Sequence, residues 1–104
     1  MKIAAVIEKT DIVLGNDSGM CHVAGFLRKP ALALCAPTSG SIAFGGWPTV
    51  RWMQAEGSCT GCLWYQDDGW KPWCGFGCEL LADIKPNKVI PMAESILREE
   101  GIIE

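Results

Sequence analysis

The chain has 104 residues, 49% of them hydrophobic and 20% charged, which fits one modest globular domain with a single core and excludes a disordered tail. A net charge of −3, with the nine Lys and Arg scattered along the chain, excludes the basic face of a nucleic-acid binder. No apolar run approaches the ~18 residues that would suggest a bilayer span, and the apolar stretch before Glu8 is too short for a secretory signal, so the expected compartment is a reducing cytosol.

Ile3, Val6 and Ile7 recur at helical spacing and predict an amphipathic helix over residues 2–9, ended by Thr10-Asp11. Ile12-Val13-Leu14 is wholly apolar, as expected of a parallel strand covered on both faces. Gly15 to Gly19 is turn material, and residues 20–28 read as a second helix with Val23, Ala24 and Leu27 on one face, stopped by Lys29-Pro30. Ala31 to Cys35 is another buried strand. Strand, helix and strand within about 25 residues make a right-handed βαβ unit of the kind found in doubly wound α/β sheets.

Residues 36–49 read as a Gly/Pro/Ser loop, Val50 to Gln54 as a third strand near a sheet edge, and residues 57–79 as a cysteine- and tryptophan-rich loop. Val89, Ile90, Ala93, Ile96 and Leu97 share a helical face near the C-terminus. Pro86 suits a first helical position, but Pro91 would remove a hydrogen bond from a helix begun there, so either the helix is kinked or it starts at Pro91, the second being the preferred reading.

The turn Asp17-Ser18-Gly19-Met20-Cys21-His22 carries the chemistry. In α/β folds ligands bind where a parallel strand ends and the next helix begins, because unpaired N–H groups and the helix dipole favour an anion there. Gly19 permits close approach of a phosphate, Ser18 can donate its hydroxyl or cap the helix, and His22 lies in the first turn with a ring N–H to offer. Asp17 would repel phosphate and is expected to fix the turn instead. The plainer alternative is a turn and helix cap with a partly buried histidine.

Residues 10–24, followed by Arg28-Lys29-Pro30-Ala31 through Ala36-Pro37-Thr38, resemble family 9 glycosyltransferases, the heptosyltransferase-like group of lipopolysaccharide assembly. Its pattern is Asp-Ser/Thr-Gly, two residues, then His, with Lys-Pro before the next strand and Pro-Thr after it. The resemblance covers residues 1–56 well and 84–97 loosely. It implies an α/β fold: a partial Rossmann-like (GT-B C-terminal domain type) parallel sheet with flanking helices and a Cys/Trp-rich loop. The expected domain is residues 1–104, a single incomplete donor-binding unit with 57–79 as its Cys-rich loop.

By that resemblance, Asp17, Ser18, Gly19, Met20, His22 and Thr38 would bind the donor phosphates of a nucleotide-diphosphate sugar. The sugar would pass to an acceptor in lipopolysaccharide or related glycan synthesis, with heptose among the candidates. The family's acceptor domain and catalytic base have no counterpart in these residues, so no catalytic residue is assigned and the chain is expected to be inactive alone. The implied partners are a nucleotide-diphosphate sugar and either a second copy or a partner carrying the other domain. No nucleic acid and no transmembrane segment are expected, and the place implied is the cytoplasm, free or peripheral to the inner membrane.

Cys59 and Cys62 are separated by two residues and Cys74 and Cys78 by three, with eleven between the pairs. Two such knuckles can place four thiolates around one structural Zn²⁺; two disulfides and free thiols are the alternatives, and the spacing does not suit an iron–sulfur cluster. Cys21 and Cys35 fall in a helix and a strand and read as small core residues. Trp64, Trp70 and Trp73, with Trp47 and Trp52 just before them, read as an apolar cluster shielding the cysteines or, with Tyr65, as a platform for a sugar ring. The rival function is accordingly a small metal-stabilised interaction module without catalysis.

Overall fold

A computed structural model describes residues 2–16, 19–36, 38–56 and 84–104. In chain order its elements are helix α1 (Lys2–Glu8), strand β1 (Val13–Asn16), helix α2 (Gly19–Phe26), strand β2 (Ala31–Cys35), helix α3 (Gly40–Phe44), strand β3 (Val50–Gln54) and helix α4 (Pro86–Glu99). The strands form a parallel sheet in the order β1-β2-β3. Two crossovers of the usual right hand, each stepping the sheet in the same direction, put α2 and α3 on one face. The ring of His22 on α2 lies 4.7 Å from that of Phe44 on α3, as this arrangement requires.

The register assigns the sheet's two faces. Val13, Ala31 and Val50 stand side by side, as do Gly15, Ala33 and Trp52, and Cys35 stands beside Gln54. These residues face α2 and α3, where Val13, Ala31, Ala33, Cys35 and Val50 join Cys21, Ala24 and Phe44 in the core. Leu14, Leu32 and Arg51 alternate onto the other face. Arg51 there forms an ion pair with Glu99, which brings α4 to that side. Helices therefore flank the sheet on both faces, a Rossmann-like α/β arrangement. Phe44 and Leu32, both fully buried, are worth roughly 1.5–3 kcal/mol each in area removed from water.

Several expectations are corrected. Residues 36–49 are not all loop: α3 forms within them and buries Phe44. The C-terminal helix begins at Pro86, and Pro91 lies inside it. Both Asn87 and Pro91 are exposed, so the carbonyl that Pro91 leaves without an N–H partner faces water, and the helix continues. β1 is shifted to Val13–Asn16 and is not covered on both faces, since Leu14 is half exposed. Of the stripe on α1 only Ile7 is buried. Trp47 and Trp52 both pack against the main core, and the later tryptophans lie outside the described residues. The matching features are β2 and β3, which keep their expected bounds, and Cys21 and Cys35, which are buried small core residues.

Candidate functional site

β1 and β2 are parallel neighbours, so the turns that follow them open at the same edge of the sheet, the carboxyl edge. Asp17, Ser18 and Pro37 lie outside the described residues. Gly19 opens α2 and is exposed, as is Met20. No atom lies within 4 Å of where a Gly19 side chain would begin, so the approach to the first helical N–H groups is clear among the described residues. The Cys21 thiol donates to the Asn16 carbonyl at 3.6 Å, joining the end of β1 to the first turn of α2.

His22 is half buried between α2 and α3. Its Nδ1 accepts a hydrogen bond of 3.0 Å from the indole Nε1–H of Trp47, and its ring stacks in tilted fashion on Phe44. An accepting Nδ1 puts the neutral ring's proton on Nε2, which is therefore the nitrogen with a hydrogen to donate. Trp47 is itself fixed by close packing: a Cβ added at Gly25 would stand 2.6 Å from its Cγ.

Thr38 sits in the turn after β2 and is 6% exposed. Its hydroxyl oxygen is buried with no hydrogen-bond partner among the described residues. A hydroxyl in that state costs about 1–3 kcal/mol unless a ligand or water completes it. Thr49 is left in the same way, but it precedes β3, at the opposite edge of the sheet.

Gln54, at the carboxyl end of β3, holds the turn that carries Thr38. Its Oε1 accepts from the Gly40 N–H at 2.9 Å, while Nε2 donates to the Thr38 carbonyl at 2.9 Å and to that of Ala36 at 3.4 Å. Ser39, the residue at the cap position of α3, makes no side-chain cap bond, so Gln54 serves the helix start from another strand. Trp52, two residues earlier on the same sheet face, covers the space where Gly40 would carry a side chain. Beside Gln54 a cavity of about 500 Å³ opens between the end of β3 and the start of α4, with Lys85, Lys88 and Glu56 on its rim.

The described part of the expected phosphate set, Gly19, Met20, His22 and Thr38, thus lies on two neighbouring elements, but His22 is turned partly toward Trp47. Neither Gln54 nor Trp47 belongs to a motif. The available signal was Gln54 itself, a polar residue whose period-two position falls on the core face of its strand. Cys59, Cys62, Cys74 and Cys78, with Trp64, Tyr65, Trp70 and Trp73, lie outside the described residues. Among the described residues no group of His, Cys, Asp or Glu is arranged to hold a metal. No described helix is long and apolar enough to cross a membrane.

Electrostatic perturbation is clear at one pair on the far face. The hydrogen bond from Arg51 holds the Glu99 carboxyl below its ordinary range, and the same bond raises the Arg51 guanidinium. Both groups are well exposed, so the pair is screened and does not reach the site.

A parallel sheet whose first two strands each lead into a helix at the carboxyl edge, with helices on both faces, is a Rossmann-like α/β arrangement. The family model for glycosyltransferase family 9 (heptosyltransferase) matches residues 1–62. The chain belongs to that family. No curated protein and no solved structure matches it.

Proposed function

We propose that the chain binds the diphosphate of a nucleotide-sugar donor at the carboxyl edge of its sheet, as the donor site of a sugar transferase. The observation that carries this reading is the pairing, among the described residues, of a helix start at Gly19 with open space beside it and a buried Thr38 hydroxyl without a partner in the neighbouring turn. Asp17 and Ser18 complete the turn in sequence, and Nε2 of His22 supplies a further donor. The N–H groups and dipole of α2 would stabilise negative charge on the departing diphosphate as the sugar moves to an acceptor hydroxyl. The cavity beside Gln54 offers room for the nucleoside at the same edge. Family membership makes a heptose the first sugar to try, with lipopolysaccharide or a related glycan as product.

Calorimetric titration with ADP, GDP, CDP, UDP and inorganic pyrophosphate tests this. At least one nucleoside diphosphate should bind, and Gly19→Val should weaken that binding by roughly 10- to 100-fold, the loss expected when charge-assisted hydrogen bonds to phosphate are blocked. Since no described atom lies within 4 Å of the added Cβ, the melting temperature should hardly change. Absence of binding to all five compounds, or equal affinity in Gly19→Val, would reject the donor site and leave the rival reading, a metal-stabilised interaction module.

A further inference from the structure

We infer that Gln54 is a positioning residue for the donor site: its carboxamide holds Ala36, Thr38 and Gly40 so that the Thr38 hydroxyl is presented to the diphosphate. This rests on the donor-binding reading above. The carboxamide is used at both ends. Oε1 takes the first N–H of α3 from Gly40, and Nε2 gives its hydrogens to the carbonyls of Thr38 and Ala36. The turn therefore hangs from the adjacent strand and not from its own side chains, since Ser39 turns away to share a hydrogen bond with Ser41 at 3.1 Å.

Geometry explains why a carboxamide is needed. Within one turn the backbone offers a donor at Gly40 and acceptors at Thr38 and Ala36, and a primary amide carries one acceptor oxygen and two donor hydrogens on one planar group to meet all three. Trp52 closes over Gly40 on the same side, so the turn is held by packing at its far end and by Gln54 near the site. The hydroxyl of Thr38 has no partner among the described residues, while its carbonyl is held by Gln54.

Two substitutions separate this role from a general packing role. Gln54→Leu removes every hydrogen bond. Gln54→Glu keeps the size and the acceptor for Gly40 but replaces the donor with a second acceptor facing the Thr38 carbonyl. Inorganic pyrophosphate is titrated into wild type and both variants, and amide hydrogen exchange at Gly40 is recorded alongside melting curves. The Gly40 amide should stay protected in wild type and Gln54→Glu and exchange freely in Gln54→Leu.

Both folded variants should bind pyrophosphate at least about tenfold more weakly than wild type. The gap for Gln54→Glu should narrow near about pH 5, where its carboxyl begins to protonate and regains a hydrogen for Thr38. A folded Gln54→Glu that binds as wild type does, at neutral pH, overturns the inference and leaves the donor site standing. A wild type that binds no pyrophosphate or nucleoside diphosphate overturns both, whatever the exchange at Gly40 shows.

Discussion

His22 and Trp47 stand far apart in sequence, and the hydrogen bond between them fixes which ring nitrogen carries the proton. That choice decides what the histidine can do, because a ring with hydrogen on Nε2 can donate to a phosphate oxygen while Nδ1 is already engaged. The chain contains one histidine, so its ¹⁵N resonances are unambiguous. In neutral wild-type protein Nδ1 should show the shift of an unprotonated nitrogen. Trp47→Phe keeps an aromatic ring over Gly25 but removes the donor, at a cost of about 0.5–1.5 kcal/mol for a neutral hydrogen bond, and should move the ring toward a mixture of tautomers. Unchanged ¹⁵N shifts in that variant would mean that Trp47 does not set the tautomer.

Two helices of this chain end in the same way, with different residues at the critical position. After α4, Gly101 has φ of 73°, its N–H reaches the Arg98 carbonyl, and Ile102 reaches Leu97. After α2, the N–H of Arg28 reaches Gly25 and that of Lys29 reaches Ala24, which is the same closing pattern with Arg28 at φ of 58°. An arginine in the left-handed region is strained by its Cβ where glycine is not. Arg28→Gly should therefore stabilise the fold by about 0.5–1 kcal/mol, net of the greater freedom glycine adds to the unfolded chain. Urea unfolding should show a higher midpoint with an unchanged slope; a lower midpoint would show that the arginine side chain contributes more than its backbone costs. The stop of α2 was legible in Lys29-Pro30, as were β2 and β3 in their apolar or alternating runs, because local pattern decides them. The start of α3 was not, since its first N–H is met by Gln54 from another strand, and no local motif announces such a partner. The sequence leaves the start of α4 between Pro86 and Pro91 for the opposite reason: the local rule about Pro91, which favours the later start, is outweighed by an exposed position where water serves the freed carbonyl.

At the scale of the whole molecule, the site divides along the same line. Gly19, His22 and Thr38 could be named as candidates from the sequence because their motif is contiguous with strand and helix boundaries, whereas Gln54 and Trp47 act through contacts that only the sheet order creates. The cysteines divide too. Cys21 and Cys35 are buried in the core, one on α2 and one on β2, while the other four lie outside the described residues. The described core is small, and its largest fully buried side chains are few: Phe44, Leu32, Cys21 and Cys35. A metal held by Cys59, Cys62, Cys74 and Cys78 would add binding energy directly to folding energy. On that proposal, protein purified without chelator or metal-affinity resin should carry about one Zn²⁺ per chain. A strong chelator should lower its melting temperature, and Cys62→Ser should release the metal. Titration of thiols after denaturation in chelator discriminates further, since all six cysteines should then react. Two disulfides would leave only Cys21 and Cys35 to react, and metal-free protein with that thiol count would end the zinc proposal while leaving the donor site untouched.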